Sequence, residues 1–174
     1  MSLPAGIFDG TAILMLTTIT EKLKAHFPDS ITAVQEFRGE TTVHVKKEHI
    51  AEVCKFLRDD AASLFDYCSD VCGADAYTPE NRFEVIYNLY STVLNHRIRV
   101  KVFINESDMH CPSVTSVWPG ANWPERETFD MIGIVFDGHN DLRRMYMPEE
   151  FEYHPLRKDF PMMGIPDSIP LPRK

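Results

Sequence analysis

Arg97-Ile-Arg-Val-Lys-Val-Phe-Ile104 is the stretch that decides the fold. On an extended chain Ile98, Val100, Val102 and Ile104 share one side, and Arg97, Arg99 and Lys101 share the other, because successive strand side chains alternate. Such a strand belongs in a sheet with one face on a core and one toward water, the habit of antiparallel sheets. Upstream, Phe83 to Thr92 carries Phe83, Val85, Tyr87 and Leu89 on one face, with Ile86 and Tyr90 behind. Two partly apolar faces predict a central strand. Leu94-Asn95-His96 is the turn between them. Leu64 to Asp75 alternates Phe65, Tyr67 and Val71 against Asp66 and Asp70, predicting another strand.

Further out, Ile31 to Phe37 and Thr41 to Val45 flank Arg38-Gly39-Glu40 and read as a hairpin. Ala12, Leu16, Ile19, Leu23 and Phe27 recur at helical spacing, so Thr11 to Phe27 is a predicted amphipathic helix, ended by Pro28-Asp29. Ile50, Val53, Cys54 and Leu57 make the stripe of a second, from about Glu48 to Asp59. Downstream, a third helix is expected with Asn122 as cap and Pro124 in its first turn. Glu125 and Glu127 would support its positive end, and Gly133 would close it. Ile134, Val135 and Phe136 form a brief apolar run turning at Asp137-Gly138.

The order is helix, two strands, helix, three strands, helix. It predicts an α+β, two-layer sandwich: a mainly antiparallel five-stranded sheet with helices on one face. Residues 1–152 form one globular domain, and 153–174 an extended, proline-rich tail. Pro155, Pro161, Pro166, Pro170 and Pro172 bar helix and central strand there. Yet the tail carries Leu156, Phe160, Met162, Met163, Ile165, Ile169 and Leu171. Those side chains either bury on another protein or fold back on their own domain. A cut after Glu152 is expected to leave a folded domain.

A chain of 174 residues fits one domain. Its formal charge of -8 argues against nucleic-acid binding, since a phosphate backbone wants a basic face. The N-terminus lacks a basic region followed by an apolar run, so a cytoplasmic or organelle-matrix site is expected. No window approaches ~18 consecutive apolar residues, so any membrane contact is expected through partners.

Chemistry-bearing motifs are sparse. Cys68 and Cys72 lie four apart on a predicted strand, a Cα separation of ~13 Å, far too long for a shared metal. Cys54, Cys68, Cys72 and Cys111 read as small buried hydrophobes. No G-x-S-x-G, G-x-G-x-x-G or G-x-x-x-x-G-K-[ST] appears. Glu127, Asp130 and His139 are the residues an autonomous acid–base enzyme would use. His139 is either a titrating switch or a turn cap. Trp118 and Trp123 are either interface anchors or local core, and core is the expectation. What stands out is fixed charge on stiff backbone: Arg143-Arg144, then Glu149, Glu150 and Glu152, then Arg157-Lys158 between prolines. This is the composition of a docking surface. Arg143 and Arg144 either grip an acidic partner by forked hydrogen bonds or pair within the chain.

Pro112-Ser-Val-Thr-Ser-Val-Trp-Pro-Gly-Ala-Asn-Trp123, Glu125-Arg126-Glu127, Asp130, Gly133-Ile134, Gly138-His139, Asp141-Leu-Arg-Arg144 and His154-Pro-Leu-Arg-Lys-Asp-Phe-Pro161 form a collinear series. With Asn81-Arg-Phe-Glu-Val-Ile-Tyr87 and Arg97-Ile-Arg-Val-Lys-Val102, it resembles the C-type subunit of proton-pumping NADH:quinone oxidoreductase, respiratory complex I. The likeness runs from about Leu64 to Pro161 and departs from the family at Asn140, Phe151 and Tyr153. The resemblance implies a peripheral-arm subunit with no cofactor of its own, bracing the quinone-reducing module. It implies contacts with the large D-type subunit and neighbouring cluster-bearing subunits, with iron–sulfur clusters and FMN in those partners. The expected place is the cytoplasmic face of the inner membrane, or the matrix side of an organelle. The end at Lys174 gives the expectation of a free-standing chain, not one fused to the D-type subunit. Arg143, Arg144, His154, Arg157, Lys158 and Asp159 are the candidate docking residues. Related chains also occur in membrane-bound hydrogenases and in dehydrogenases using other donors.

Overall fold

The computed structural model describes residues 10–165, with side chains from Met15 onward. Helix α1 spans Gly10–His26, strand β1 Ile31–Phe37, β2 Glu40–Val45, α2 Ile50–Asp59 and β3 Tyr67–Asp75. Strand β4 spans Phe83–Ser91, β5 His96–Ile104, β6 His110–Pro112, α3 Asn122–Ile132 and β7 Val135–Asp137. Pro166, Pro170, Pro172, Ile169 and Leu171 of the tail lie outside the described residues, as does the Ala12 side chain.

The main sheet has five strands in the order β1-β2-β5-β4-β3. Three neighbouring pairs are antiparallel, and only β2 with β5 is parallel. The α+β fold with a mainly antiparallel five-stranded sheet is therefore the observed one. β5, the most regularly alternating segment, sits at the centre, with β4 beside it. Val43, Val45, Val85, Tyr87, Leu89, Ile98, Val100 and Val102 are buried on one face. Leu16, Ile19 and Leu23 of α1 join them in one core with Ile50, Val53, Cys54 and Leu57 of α2. Each such fully buried side chain contributes about 1.5–3 kcal/mol.

Several local expectations change. β3 begins at Tyr67, not Leu64. Residues 60–66 are held in a turn by Asp60, whose carboxylate accepts from Ala62 N and Ser63 Oγ, and Leu64 has a positive φ of 42°. Asn122 does not cap α3: a 3-10 turn, Pro119–Ala121, runs straight into the helix, and no side chain caps it. Trp118 is core, its indole N–H donating to the Phe65 carbonyl at 3.0 Å, but Trp123 is exposed under the Arg126 guanidinium. Cys54, Cys68 and Cys111 are buried, whereas Cys72 is exposed. The run before Asp137 becomes β7, paired in parallel with β6.

Helix α3 lies on the core face over β3. Its Thr128 hydroxyl donates to the Val71 carbonyl, and Gly73 lets the helix come close: a Cβ there would stand 2.6 Å from Thr128 Cγ2. Gly73→Ala should therefore lower stability by about 1–3 kcal/mol through overpacking. Thr128→Ser, which removes that methyl, should recover much of the loss. Urea unfolding of the single and double variants checks this, and an additive double variant would refute it.

Candidate functional site

The charged motifs converge on the C-terminal end of α3. A helix leaves its last carbonyls without partners, and here the answer comes from a segment more than twenty residues on. The Asp130 carbonyl accepts from His154 Nδ1 at 3.0 Å, the Met131 carbonyl from the Leu156 N–H at 3.0 Å and the Ile132 carbonyl from Arg157 Nε at 2.6 Å. Gly133 closes the helix in the left-handed region, φ 90°, its N–H reaching the Phe129 and Thr128 carbonyls. A side chain there would also strike His154 Nε2 and Arg157, both 2.5 Å from a Cβ. Gly133 thus serves both the turn and the close approach.

Asp130 is the hub beside this cap. Its fully buried carboxylate accepts from Arg144 at 2.8 Å and from the backbone N–H groups of Met145, Tyr146 and Met147 at 2.7–3.0 Å. Burial alone would raise its pKa, but the three N–H groups and Arg144 outweigh that and hold it below the usual range. Arg144 also donates to the Tyr153 carbonyl. Arg126, itself buried, donates to the Arg143 and Arg144 carbonyls. A third anchor lies at the mouth of the β3–β4 hairpin. Buried Arg82 forks onto Asp75 at 3.1 and 2.9 Å and reaches Asp159 at 2.9 Å. Asp75 also accepts from the Lys158 N–H at 2.8 Å.

The candidate docking residues therefore divide. Arg144, His154, Arg157 and Asp159, with the Lys158 backbone, make internal contacts that pin residues 154–159 to the domain. Burial and the nearby Arg157 and Arg144 lower the His154 pKa, against the pull of the Asp130 carbonyl. Arg143 is exposed and forked onto its neighbour Asp141. His139 donates from Nε2 to the Asn122 carbonyl and accepts the Asp141 N–H at Nδ1, so it caps the turn that Gly138 opens with φ 82°. Glu127 is exposed. With His139 bound to backbone and Asp130 saturated by donors, the geometry does not assemble Glu127, Asp130 and His139 into an acid–base set.

Glu125 departs furthest from expectation. It is not a solvated helix-start charge but fully buried, accepting from Val114 N at 2.8 Å and Ser113 Oγ at 2.6 Å. Burial, against only these two neutral donors, pushes its pKa up to about 7. Phe151, at a departure position, is buried against Tyr153 and Phe160, ring centroids 5.5 and 6.3 Å away. Within this anchored stretch the Leu156 side chain stands out at 59%, and just beyond it Met162 and Met163 are almost fully exposed, at 100% and 95%. Among the described residues no group of three or more His, Cys, Asp or Glu is gathered as metal ligands would be. No helix among them is long and apolar enough to cross a membrane.

Residues 43–166 match the family described as "Respiratory-chain NADH dehydrogenase, 30 Kd subunit". The chain belongs to this family. It is 49% identical over 145 residues to the C-type NADH-quinone oxidoreductase subunit of Roseiflexus castenholzii, covering 83% of each chain. The corresponding protein of Geobacter metallireducens is 46% identical over 144 residues, 82% of this chain and 88% of the relative. A solved structure described as the trypsin-resistant fragment (1-134) of Nqo5 superposes with a TM-score of 0.63 at 32% identity, covering 74% of this chain and 99% of that one. A chain of an archaeal membrane-bound sulfane sulfur reductase shares the fold, with a TM-score of 0.70 at 22% identity over 84% of this chain and 86% of that one. The match reaches upstream past the Leu64 limit of the sequence likeness, taking in half of β2 and all of α2. Sequence reasoning missed Asp75, Arg82 and Ser113 as parts of the site. Opposite charges at the facing ends of two successive predicted strands were the available signal for the first pair.

Asp130→Ala should cost about 3–5 kcal/mol, since it strands a half-buried guanidinium and three N–H groups at a buried site. A change under 1 kcal/mol in urea unfolding would refute the hub. Glu125 predicts a pH effect of known sign. Its folded pKa, about 7, lies above its ordinary 4.5, so its contribution is full below about 4.5 and lost as pH rises through 7. Glu125→Gln should match the parent at pH 5 and exceed it at pH 8 by up to roughly 3 kcal/mol. Equal pH dependence of the two urea midpoints would count against this.

Proposed function

We propose that this chain is a cofactor-free structural subunit in the peripheral arm of a respiratory NADH:quinone oxidoreductase. It braces the quinone-reducing module, while bond-making and electron transfer take place on iron–sulfur clusters and FMN held by its neighbours. The large D-type subunit is its main partner. Its position is peripheral, on the cytoplasmic face of the inner membrane or the matrix side of an organelle, and it reaches the membrane only through the complex.

The observation that carries this reading is a pinned backbone that ends in bare apolar side chains. Residues 154–159 are fixed by hydrogen bonds to α3 and to Asp75. Met162 and Met163 follow at once and stand exposed, with no cover among the described residues. Methionine is a side chain that adapts to irregular partner surfaces. Burying three large apolar side chains there would contribute roughly 5–8 kcal/mol before ordering costs. The chain's family, whose curated relatives are named as subunits of an oxidoreductase, supports the same reading.

The cut after Glu152 suggested by the sequence would strip α3 of its cap, so it should unfold or weaken the domain. A cut after Pro161 separates the two roles. It should leave the thermal midpoint within a few degrees of the parent, while the chain no longer co-purifies with the D-type subunit. Retained co-purification would refute the arm.

A further inference from the structure

The outer face of the sheet, away from all three helices, carries a feature that the arm does not use. Ladder pairing places Tyr67, Tyr90 and Arg97 in one row, and Asn88 and Arg99 in the next. These side chains, with Ser69, line an open groove of about 480 Å³. It lies at the opposite end of β3 and β4 from Asp75 and Arg82, which hold the arm.

The charges along β5 are unevenly matched. Lys101 is paired with Glu84 at 2.9 Å. Arg99 is shared between Glu40 at 2.9 Å and the Asn88 side-chain oxygen at 3.3 Å. Arg97 is exposed and has no hydrogen-bond or ion-pair partner among the described residues. The groove therefore offers one unneutralised guanidinium and a second held only by Glu40 and Asn88. Beside them stand the exposed Tyr67 ring and the half-buried Tyr90 ring.

We propose that this groove receives an extended acidic segment of a neighbouring subunit, carrying carboxylates at alternate positions. Side chains two apart on β5 repeat every ~6.6–7 Å, which is also the repeat of any extended chain. Two carboxylates spaced i, i+2 on such a segment meet Arg97 and Arg99 in register. Guanidinium forks suit carboxylates better than an ammonium does. The pair between Glu40 and Arg99 is open to solvent and weak, so an entering carboxylate displaces it readily. Tyr67 and Tyr90 flank the row as amphipathic walls of the kind found at interfaces. The proposal rests on the chain working inside an assembly, but on a surface separate from the arm.

The test uses the assembled complex. Arg97→Lys keeps the charge and supplies an amine that carbodiimide couples, at zero length, to a touching carboxylate. Mass spectrometry should find position 97 joined to an Asp or Glu of another identified subunit. Arg97→Glu should lower recovery of the complex by about tenfold through like-charge repulsion, with soluble chain at the parent level. Coupling only within the chain, coupling to Glu150 or Glu152 of a second copy, no coupling, or parent-level recovery of Arg97→Glu would each overturn the proposal. If the parent chain joins no complex at all, the functional reading fails first. If it assembles and Arg97→Glu assembles equally well, only the groove falls.

Discussion

The unpaired carbonyls at the end of α3 are the constraint on which the C-terminal third of the molecule depends. Left in a dry contact, each would cost about as much as a lost hydrogen bond. The chain meets this by returning His154, Leu156 and Arg157 to the Asp130, Met131 and Ile132 carbonyls. The return path passes the Asp130 carboxylate, so Met145, Tyr146 and Met147 are fixed on the way. One helix end thereby orders a stretch with almost no regular secondary structure.

Three buried carboxylates in this region meet different fates, and donor count explains the difference. Asp130 has three N–H groups and a guanidinium, and Asp75 has Arg82 with two N–H groups. In both, burial is outweighed and the charged form is held. Glu125 has two neutral donors and no cation, so burial wins and its pKa rises to about 7. Below about pH 7 the carboxylic acid held by the Ser113-Val114-Thr115 loop fixes geometry without a net charge in the core. That loop connects β6 to the turn before α3, so Glu125 sets where the helix begins, as the cap sets where it ends.

The fold was legible wherever a period was long enough to count. β5 alternates over its whole length, and the Ile50, Val53, Cys54 and Leu57 stripe of α2 is buried to the last residue. Gly133 was legible as a helix stop. The parallel pairing of β2 with β5 was not, because alternation tells which face is wet and nothing about the neighbour. The β6 and β7 strands, three residues each, are too short to show a period. The charged stretch from 143 to 159 was read as a surface because charges are exposed by default. The partners of Arg144, His154 and Arg157 are backbone carbonyls and a buried carboxylate distant in sequence, and residue type alone carries no trace of them. Glu125 misled for the same reason: the pattern that suits a helix start also suits a buried clamp.

The double use of one segment has a physical logic. An apolar arm that is free in solution must lose its backbone entropy when it binds, about 1–2 kcal/mol per residue. Pinning residues 154–159 to α3 and to Asp75 makes that loss part of folding, so those residues add no ordering cost if the arm docks as proposed. The prolines act in the same direction by restricting the unbound chain. In the proposed docking, the contacts that look like lost docking charges lower the ordering cost. His154, Arg157 and the Lys158 backbone hold the base of the proposed arm still, and the exposed methionines just past it are the side chains that such an arm would bury.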